Sequence, residues 1–588
     1  MRVSKRIMIY RLFGLAAGLM VVVAGLPSVA TAEAWPVAGA NELRQRLHTI
    51  IAEDAAHCED PGVAVDAAMV RFYQARDFQP AWVDRYGLRP EGAMALSTVY
   101  QAADQGLHYA DYRNPWLENL LDGTVSRPVV LGREFEGQQI RLDLIVTETV
   151  LRYAWHVMAG RTDPGLNNFG LPMVKPAIGG LAIELAESLK RGSLPEYLAN
   201  LGPRHDGYRA LRQSLGRYRK IHREGGWPAI DAGPKLQIGD CSARVDPLKR
   251  RLEVSGDYHR QGDDTGACFG ANLAAAVARF QRRHGLVPDG IAGEHTLAAL
   301  NIPVRARIQQ IQLSLERWRG LPAGMGARYL MVNIPAFQME VVEGGRVVST
   351  MRTVVGRKSR PTPLLVSRIT YLEINPYWHV PHKIARKDLL PKIKANPDFL
   401  VRQDFRVFDS WAPHARELNP AAIDWAAVSA DNFRFRLRQE PAGRNALGRV
   451  KFMFPNDRSV YLHDTPAKGL FEKSIRSFSS GCVRVEDPLA LVSVLLQPQG
   501  WDQERLARAV DSNQRQVVVL DEPMPVYLVY LTAWVDAEGR NHFREDIYGH
   551  DRALAIALDQ YAAVRTACRT APRTPAYAKR GAHFGRQM

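Results

Sequence analysis

The segment from His463 to Cys482 reads HDTPAKGLFEKSIRSFSSGC, a polar stretch that ends in a Ser-Ser-Gly turn. A cysteine kept for packing sits inside an apolar run, whereas Cys482 stands between Gly481 and an alternating Val-Arg-Val segment. A thiol of ordinary pKa, about 8.5, is only a few per cent thiolate at neutral pH, so a nucleophilic cysteine needs a base or a cation beside it. His463 is the candidate base. It would take the thiol proton, hold the thiolate as an ion pair and return the proton to a leaving amine. The chemistry this pair points to is acyl transfer.

Neighbouring residues fit the same scheme. Gly481 lets a substrate carbonyl approach the backbone, and amides around Cys482 can face the oxyanion of acyl transfer. Arg484 offers a charge-assisted donor to a substrate carboxylate. Tyr461 shares a strand face with His463, where it orders the base, lines a substrate groove or simply packs. A metal site is the rival reading, since His379 and His382 have HxxH spacing with His463 available. Pro381 disfavours a regular helix there, no acidic residue accompanies the pair and no C-x-x-C occurs, so no metal is expected.

The elements that must position these residues are strands. YLMVNIPAFQMEVVEGG, RVVSTMRTVVG and SRITYLEINP are rich in Val, Ile, Thr and Tyr and bounded by Gly and Pro, with Gly344-Gly345 as a hairpin turn. Strands resume at Val450–Phe454, Ser459–His463 and in PVYLVYLTAWV (525–535). The alternation puts Val460 and Leu462 in the core and Tyr461 and His463 toward the site. The expected catalytic unit is a β-sandwich over 328–552, interrupted by an insertion at about 382–449 that could act as a lid. Trp378 and His379, between Pro376 and Pro381, are candidates for a wall of the site.

Upstream the texture is helical. Residues 33–235 show 3.6-residue periodicity, as in Leu142, Ile145, Thr149 and Tyr153. Residues 236–303 read as a small helical unit with a Pro288-Asp289-Gly290 turn, followed at 304–327 by an amphipathic linker helix bearing Ile308, Ile311, Leu315 and Trp318. The expected fold class is α+β multidomain, and residues 553–588 read as a basic, flexible tail.

Two resemblances give these elements a function. FQRRHGLVPDGIAGEHTLAAL (280–300) resembles the three-helix peptidoglycan-binding module of cell-wall enzymes. HDTPAKGLFEKSIRSFSSGCVRV resembles the signature of the L,D-transpeptidases of YkuD type, a histidine followed some 15 residues later by Ser/Thr-His-Gly-Cys; here 15 residues separate His463 from Ser479. Ser480 replaces the usual second histidine and Arg484 a common asparagine, both as in the large YcbB-like branch. RPTP (360–363), INPYWHVP (374–381) and NALGRVKFMFPN (445–456) are similar to that branch too.

The resemblance implies a tetrapeptide donor stem, attack by Cys482 on the carbonyl of its third residue, release of D-alanine and 3→3 cross-linking to the diaminopimelate amine of an acceptor stem. Cys482, His463 and Gly481 are then catalytic, while Tyr461, Arg484, Ser480 and Trp378 contact substrate. It also implies carbapenem acylation of Cys482, glycan polymerases and D,D-carboxypeptidases as partner enzymes, and no cofactor. Water in place of the amine would make an L,D-carboxypeptidase or amidase. An inert Cys482 would leave a wall-binding scaffold.

Composition agrees with a wall enzyme. Arg2, Lys5, Arg6 and Arg11, a 15-residue apolar run (Leu12–Leu26) and Ala30-Thr31-Ala32 read as a secretory signal over 1–32. The run is shorter than the roughly 20 residues of a membrane span. Loss of the four basic residues lowers the formal charge from +16 to +12. Such a charge would hold an exported, periplasmic protein near an anionic wall or membrane surface by Coulomb attraction or serve solubility alone, and nucleic acid is not an expected partner. Of five cysteines, Cys241 and Cys268 are the expected bridge; Cys58 and Cys568 lie far apart, and Cys482 is the expected free thiol.

Overall fold

The computed structural model describes residues 65–84, 86–118, 133–162, 178–260, 266–396 and 398–570, with Asn41, Arg44 and Gln45. The leader expected over 1–32, Cys58, the side chain of Cys568 and the chain beyond Thr570 lie outside the described residues. Among the described residues no helix is long and apolar enough to cross a membrane.

The N-terminal part is a helical body. Helices Val65–Gln74, Pro90–Tyr100, Arg133–Ala159, Ile178–Lys190 and Leu194–Ala199 share one apolar core that includes Phe72, Trp82, Leu151 and Leu185. A short hairpin, β1 (Val83–Asp84) and β2 (Gly87–Leu88), is pinned to it by the buried Asp143. Its carboxylate accepts from Tyr73 Oη at 2.5 Å and from the Ala81 and Trp82 amides at 2.9 and 2.7 Å. Burial raises the pKa of Asp143 and these donors oppose the rise.

Three helices, Val245–Val254, Ala271–Arg283 and Glu294–Leu300, form the next unit around Leu248, Val277, Phe280 and Leu300. The expected Cys241–Cys268 disulfide ties its start to its middle. The linker helix Val304–Arg319 follows, and Ile311, Leu315 and Trp318 pack between helix Asp206–Arg223 and Tyr527 and Val529 of the catalytic sheet.

That sheet contains β3 (Arg328–Asn333), β4 (Gln338–Glu343), β5 (Arg346–Gly356) and β6 (Leu365–Ile374). In the insertion lie β7 (Trp378–His379), β8 (Phe405–Phe408), β9 (Glu417–Leu418) and β10 (Arg436–Gln439). The catalytic sheet continues with β11 (Val450–Met453), β12 (Leu462–His463), β13 (Ser477–Ser479), β14 (Val483–Val485) and β15 (Gln516–Val529). Its order is β13-β5-β14-β12-β11-β6-β15-β3-β4, and β4 also pairs with β5. The two layers expected of a sandwich are thus made by one sheet whose ends meet. Leu330, Leu372, Phe452, Leu462, Val483 and Val526 fill the inside with Leu491 and Leu495 from helix Pro488–Leu496. A hairpin of β16 (Ala533–Val535) and β17 (Asn541–Phe543) completes the unit.

The insertion is an independent layer, a sheet ordered β7-β10-β8-β9 with a core of Val380, Ile393, Val407, Phe433 and Leu437. It begins a few residues before the expected boundary, because Trp378 and His379 already pair with Gln439 and Arg438.

The flexible tail expected from residue 553 is corrected in its first part. His550–Thr570 is a helix. Leu554 and Tyr561 recur two turns apart and are buried, and Tyr561 Oη lies 3.0 Å from His156 Nε2 of the N-terminal body. Counting basic residues hid this apolar stripe.

The Cys241–Cys268 bridge closes a 27-residue separation, worth about 3.5 kcal/mol by loop-closure entropy. The full chain with both cysteines changed to serine is expected to lose hydrogen-exchange protection over 245–300, while protection of the catalytic sheet stays unchanged.

Candidate active site

The site is built by side-chain alternation on four adjacent strands. β12 pairs parallel with β14, Leu462 against Val483 and His463 against Arg484. On its other side it pairs antiparallel with β11, where Lys451 opposes His463, and Lys451 in turn opposes Glu373 of β6. Leu462, Phe452, Val483 and Leu372 point into the core and are fully buried. Arg484, His463, Lys451 and Glu373 therefore form a polar row on the opposite face. Tyr461 and Cys482 lie one step along, linked by the Val483 amide donating to Tyr461 O at 3.1 Å. Burial and the neighbouring Cys482 push the Tyr461 phenol up, Tyr461 opposes the rise that burial gives the Cys482 thiol, and Cys482 is the free cysteine among the described residues.

His463 is oriented by its own strand end. Its Nδ1–H donates to Asp464 O at 2.5 Å, which leaves Nε2 as the acceptor nitrogen. Asp464 is fixed in turn, its carboxylate accepting from the Arg449 amide at 2.8 Å and from the Thr465 amide and Lys468 Nζ at 2.7 Å. Gly448, at φ +60°, lies against this carboxylate so closely that a Cβ there would meet Asp464 Oδ2 at 2.2 Å.

The cysteine turn is equally constrained. Ser479 Oγ donates to Cys482 O at 2.6 Å and accepts from the Gly481 amide at 3.1 Å. Thr362 Oγ1 donates to Gly481 O at 2.8 Å. Gly481 adopts φ +120°, a conformation L side chains rarely take. Its amide is engaged by Ser479, so the part Gly481 plays here is to shape the turn, not to offer its own N–H to an oxyanion. Ser480 Oγ accepts from Arg360 Nη1 at 2.9 Å and from Arg357 Nη2 at 3.3 Å. Arg360 also pairs with Asp388 of the insertion, Nη2 donating to Oδ1 at 3.1 Å. The insertion thereby reaches the residue two before the cysteine.

Burial decides the resting charges. His463 is pushed down to about 3 by burial, with Arg484 and Lys451 adding to the fall, so its imidazole is neutral at neutral pH. Burial pushes the Cys482 thiol up, and Tyr461, Lys451 and Arg484 pull it back. The guanidinium of Arg484 has a buried Nε that makes no hydrogen bond among the described residues.

Cys482, His463, Tyr461 and Arg484 are thus brought onto one face, with Gly481 and Ser480 in the adjoining turn. Trp378 is not brought there. It packs on the insertion's own core, its ring 6.0 Å from that of Phe405, because the two-residue strand β7 turns it inward. His379, next along β7, is the residue that feels Lys451 and Glu373. His382 Nε2–H donates to Phe433 O at 2.9 Å, and among the described residues no group of His, Cys, Asp or Glu is arranged to hold a metal. Sequence reasoning missed Lys451, Glu373, Thr362 and Asp388. Lys451 carried a signal, a polar residue alternating with core residues in Val-Lys-Phe-Met; Asp388 carried none, since its contact spans a loop and an insertion.

Residues 327–519 match the family described as the L,D-transpeptidase catalytic domain, YkuD. Residues 67–215 match a scaffold domain and 242–300 the "Putative peptidoglycan binding domain". A Haemophilus influenzae protein named "Putative L,D-transpeptidase" is 35% identical over 249 residues, 42% of this chain and 49% of that protein. The Mycobacterium tuberculosis "N-acetylmuramoyl-L-alanine amidase CwlM" is 39% identical over 80 residues, 12% of this chain and 20% of that protein. The chain therefore spans about half or less of the length of these relatives. Among solved structures, an L,D-transpeptidase from Xylanimonas cellulosilytica aligns at 17% identity and TM-score 0.18, covering 51% of this chain and 99% of that one. One from Mycobacterium smegmatis aligns at 13% and 0.17, covering 34% and 58%.

Gly448→Ala is expected to displace Asp464 and with it the carbonyl that orients His463. Turnover should fall at least tenfold while the thermal midpoint moves little, measured by product formation alongside circular dichroism.

Proposed function

We propose that this chain is a peptidoglycan L,D-transpeptidase that forms 3→3 cross-links through a thioester on Cys482. The observation that supports the reading is the parallel pairing of β12 with β14, which runs the strand of His463 beside the strand that follows Cys482, next to a guanidinium whose buried Nε makes no hydrogen bond among the described residues. The catalytic and wall-binding domain matches supply the substrate class.

The steps follow from the groups present. His463 Nε2 takes the Cys482 proton as sulfur attacks the carbonyl carbon of the third stem residue. The carbonyl π pair moves to oxygen, giving an oxyanion that the Cys482 amide and the cationic surroundings stabilise. The C–N bond to D-alanine breaks, and the departing nitrogen takes the proton from His463. The amine of an acceptor stem then attacks the thioester, gives up a proton to His463 and expels the sulfur, which is reprotonated. Arg484 binds a substrate carboxylate with its free guanidinium edge. Tyr461 orders the sulfur, and Ser480, held by two arginines, fixes the turn. The insertion, tied down by Arg360 and Asp388, excludes water so that an amine takes the acyl group. The wall-binding unit holds the exported enzyme on its substrate.

Mass analysis of products from tetrapeptide muropeptides tests this. Dimers lacking one D-alanine are expected, with Cys482→Ala inactive and His463→Ala slowed by about two to four orders of magnitude. Tripeptide monomers alone would make the enzyme a hydrolase, and unaltered substrate with the intact chain would leave only a binding scaffold.

A further inference from the structure

Lys451 has no assigned part in this chemistry, yet it sits in the polar row directly opposite His463. Its ammonium lies 4.5 Å from the centroid of the Tyr461 ring, and Tyr461 is joined to the cysteine turn by the Val483 amide donating to Tyr461 O at 3.1 Å, its phenol and the Cys482 thiol each perturbing the other. We propose that Lys451 is a positioning residue for the nucleophile, its charge acting across the Tyr461 ring to favour Cys482 as a thiolate. The proposal rests on Cys482 being the nucleophile.

A lysine on a sheet more often neutralises a carboxylate, and Glu373 is nearby. Glu373, however, already pairs with Arg515, Nε to Oε2 at 2.9 Å, while Lys451 Nζ stands at 4.0 Å from Oε1. The carboxylate therefore holds Lys451 in place without consuming its charge. The Lys451 side chain is 15% exposed, so its field is not screened as a surface lysine's would be. A cation over a phenol ring also makes the hydroxyl a better donor to an anion.

The groups facing this locus are Tyr461 and His463 of β12, Lys451 of β11 and Arg484 beside the cysteine. Behind them stand Arg357, Glu373 and Arg515, with His379 from the insertion. Lys451, Arg484 and Arg515 outnumber the one carboxylate, which favours a sulfur anion and disfavours an imidazolium. That arrangement leaves His463 free as a base at rest and lowers the cost of the sulfur anion that forms when His463 takes its proton.

The test is the pH dependence of Cys482 alkylation by iodoacetamide in the full chain, followed by peptide mapping, for wild type, Lys451→Met and Lys451→Arg. Lys451→Met is expected to move the midpoint up by about one to two pH units, the effect of a cation roughly 7–10 Å away, across the ring, at an effective dielectric of about 20. Lys451→Arg should restore it. In a Tyr461→Phe background the shift should shrink. Lys451→Gln serves if the methionine variant loses its circular dichroism signature. A midpoint unmoved by Met or Gln in a folded protein, an equal shift with Arg, or a full shift without the Tyr461 hydroxyl overturns the proposal. Acyl transfer by Cys482 would survive each of these, and would fall separately if Cys482→Ala still formed cross-links.

Discussion

The site depends on the pairing of a two-residue strand. Leu462–His463 runs parallel to Val483–Val485, and because side chains alternate with a period of two, that register alone decides whether His463 and Cys482 share a face. A one-residue slip of either strand would turn one of them into the apolar core and bring a core residue to the site face. The register is held by Leu462, Val483 and Val485, all fully buried, each contributing roughly 1.5–3 kcal/mol by burial. A parallel pair also needs a crossover, here residues 464–482. Arg352 secures that loop by bonding Glu472 at 2.9 Å and Glu486 at 2.8 Å, and Lys468 by bonding Asp464.

On this frame the electrostatics take a consistent form. The imidazole is buried among cations and stays neutral, which suits a base. The sulfur is buried too, but it meets a hydroxyl and two cations. Protonation of His463 would place a third cation in the row. Proton transfer from sulfur to imidazole is therefore uphill at rest and becomes useful once the oxyanion forms in the same positive field. The insertion contributes by reaching the turn through Asp388, Arg360 and Ser480, so that its position and the cysteine turn are coupled.

Much of this was legible in the sequence because it is local. Alternation in Tyr461-Leu462-His463 and Val483-Arg484-Val485 fixes which residues enter the core, and Gly481 marks the tight turn. The disulfide, the linker helix and the insertion followed from spacing and periodicity. Trp378 was misplaced because two residues of strand give no alternation to read against a second core. The terminal helix was hidden because its stripe, Leu554 and Tyr561, is sparse in an Ala- and Arg-rich run. Closure of the sheet, through β4 pairing with both β3 and β5, and the pairing of Arg360 with Asp388 join residues that no local pattern connects.

The most direct measurement is intact-protein mass analysis of the full chain quenched in acid during turnover of a tetrapeptide stem. The account predicts a covalent adduct equal to the stem less D-alanine, carried on the tryptic peptide that contains Cys482 and released by an added amine. An adduct on another residue, or D-alanine release that continues with no adduct and in Cys482→Ala, would contradict it.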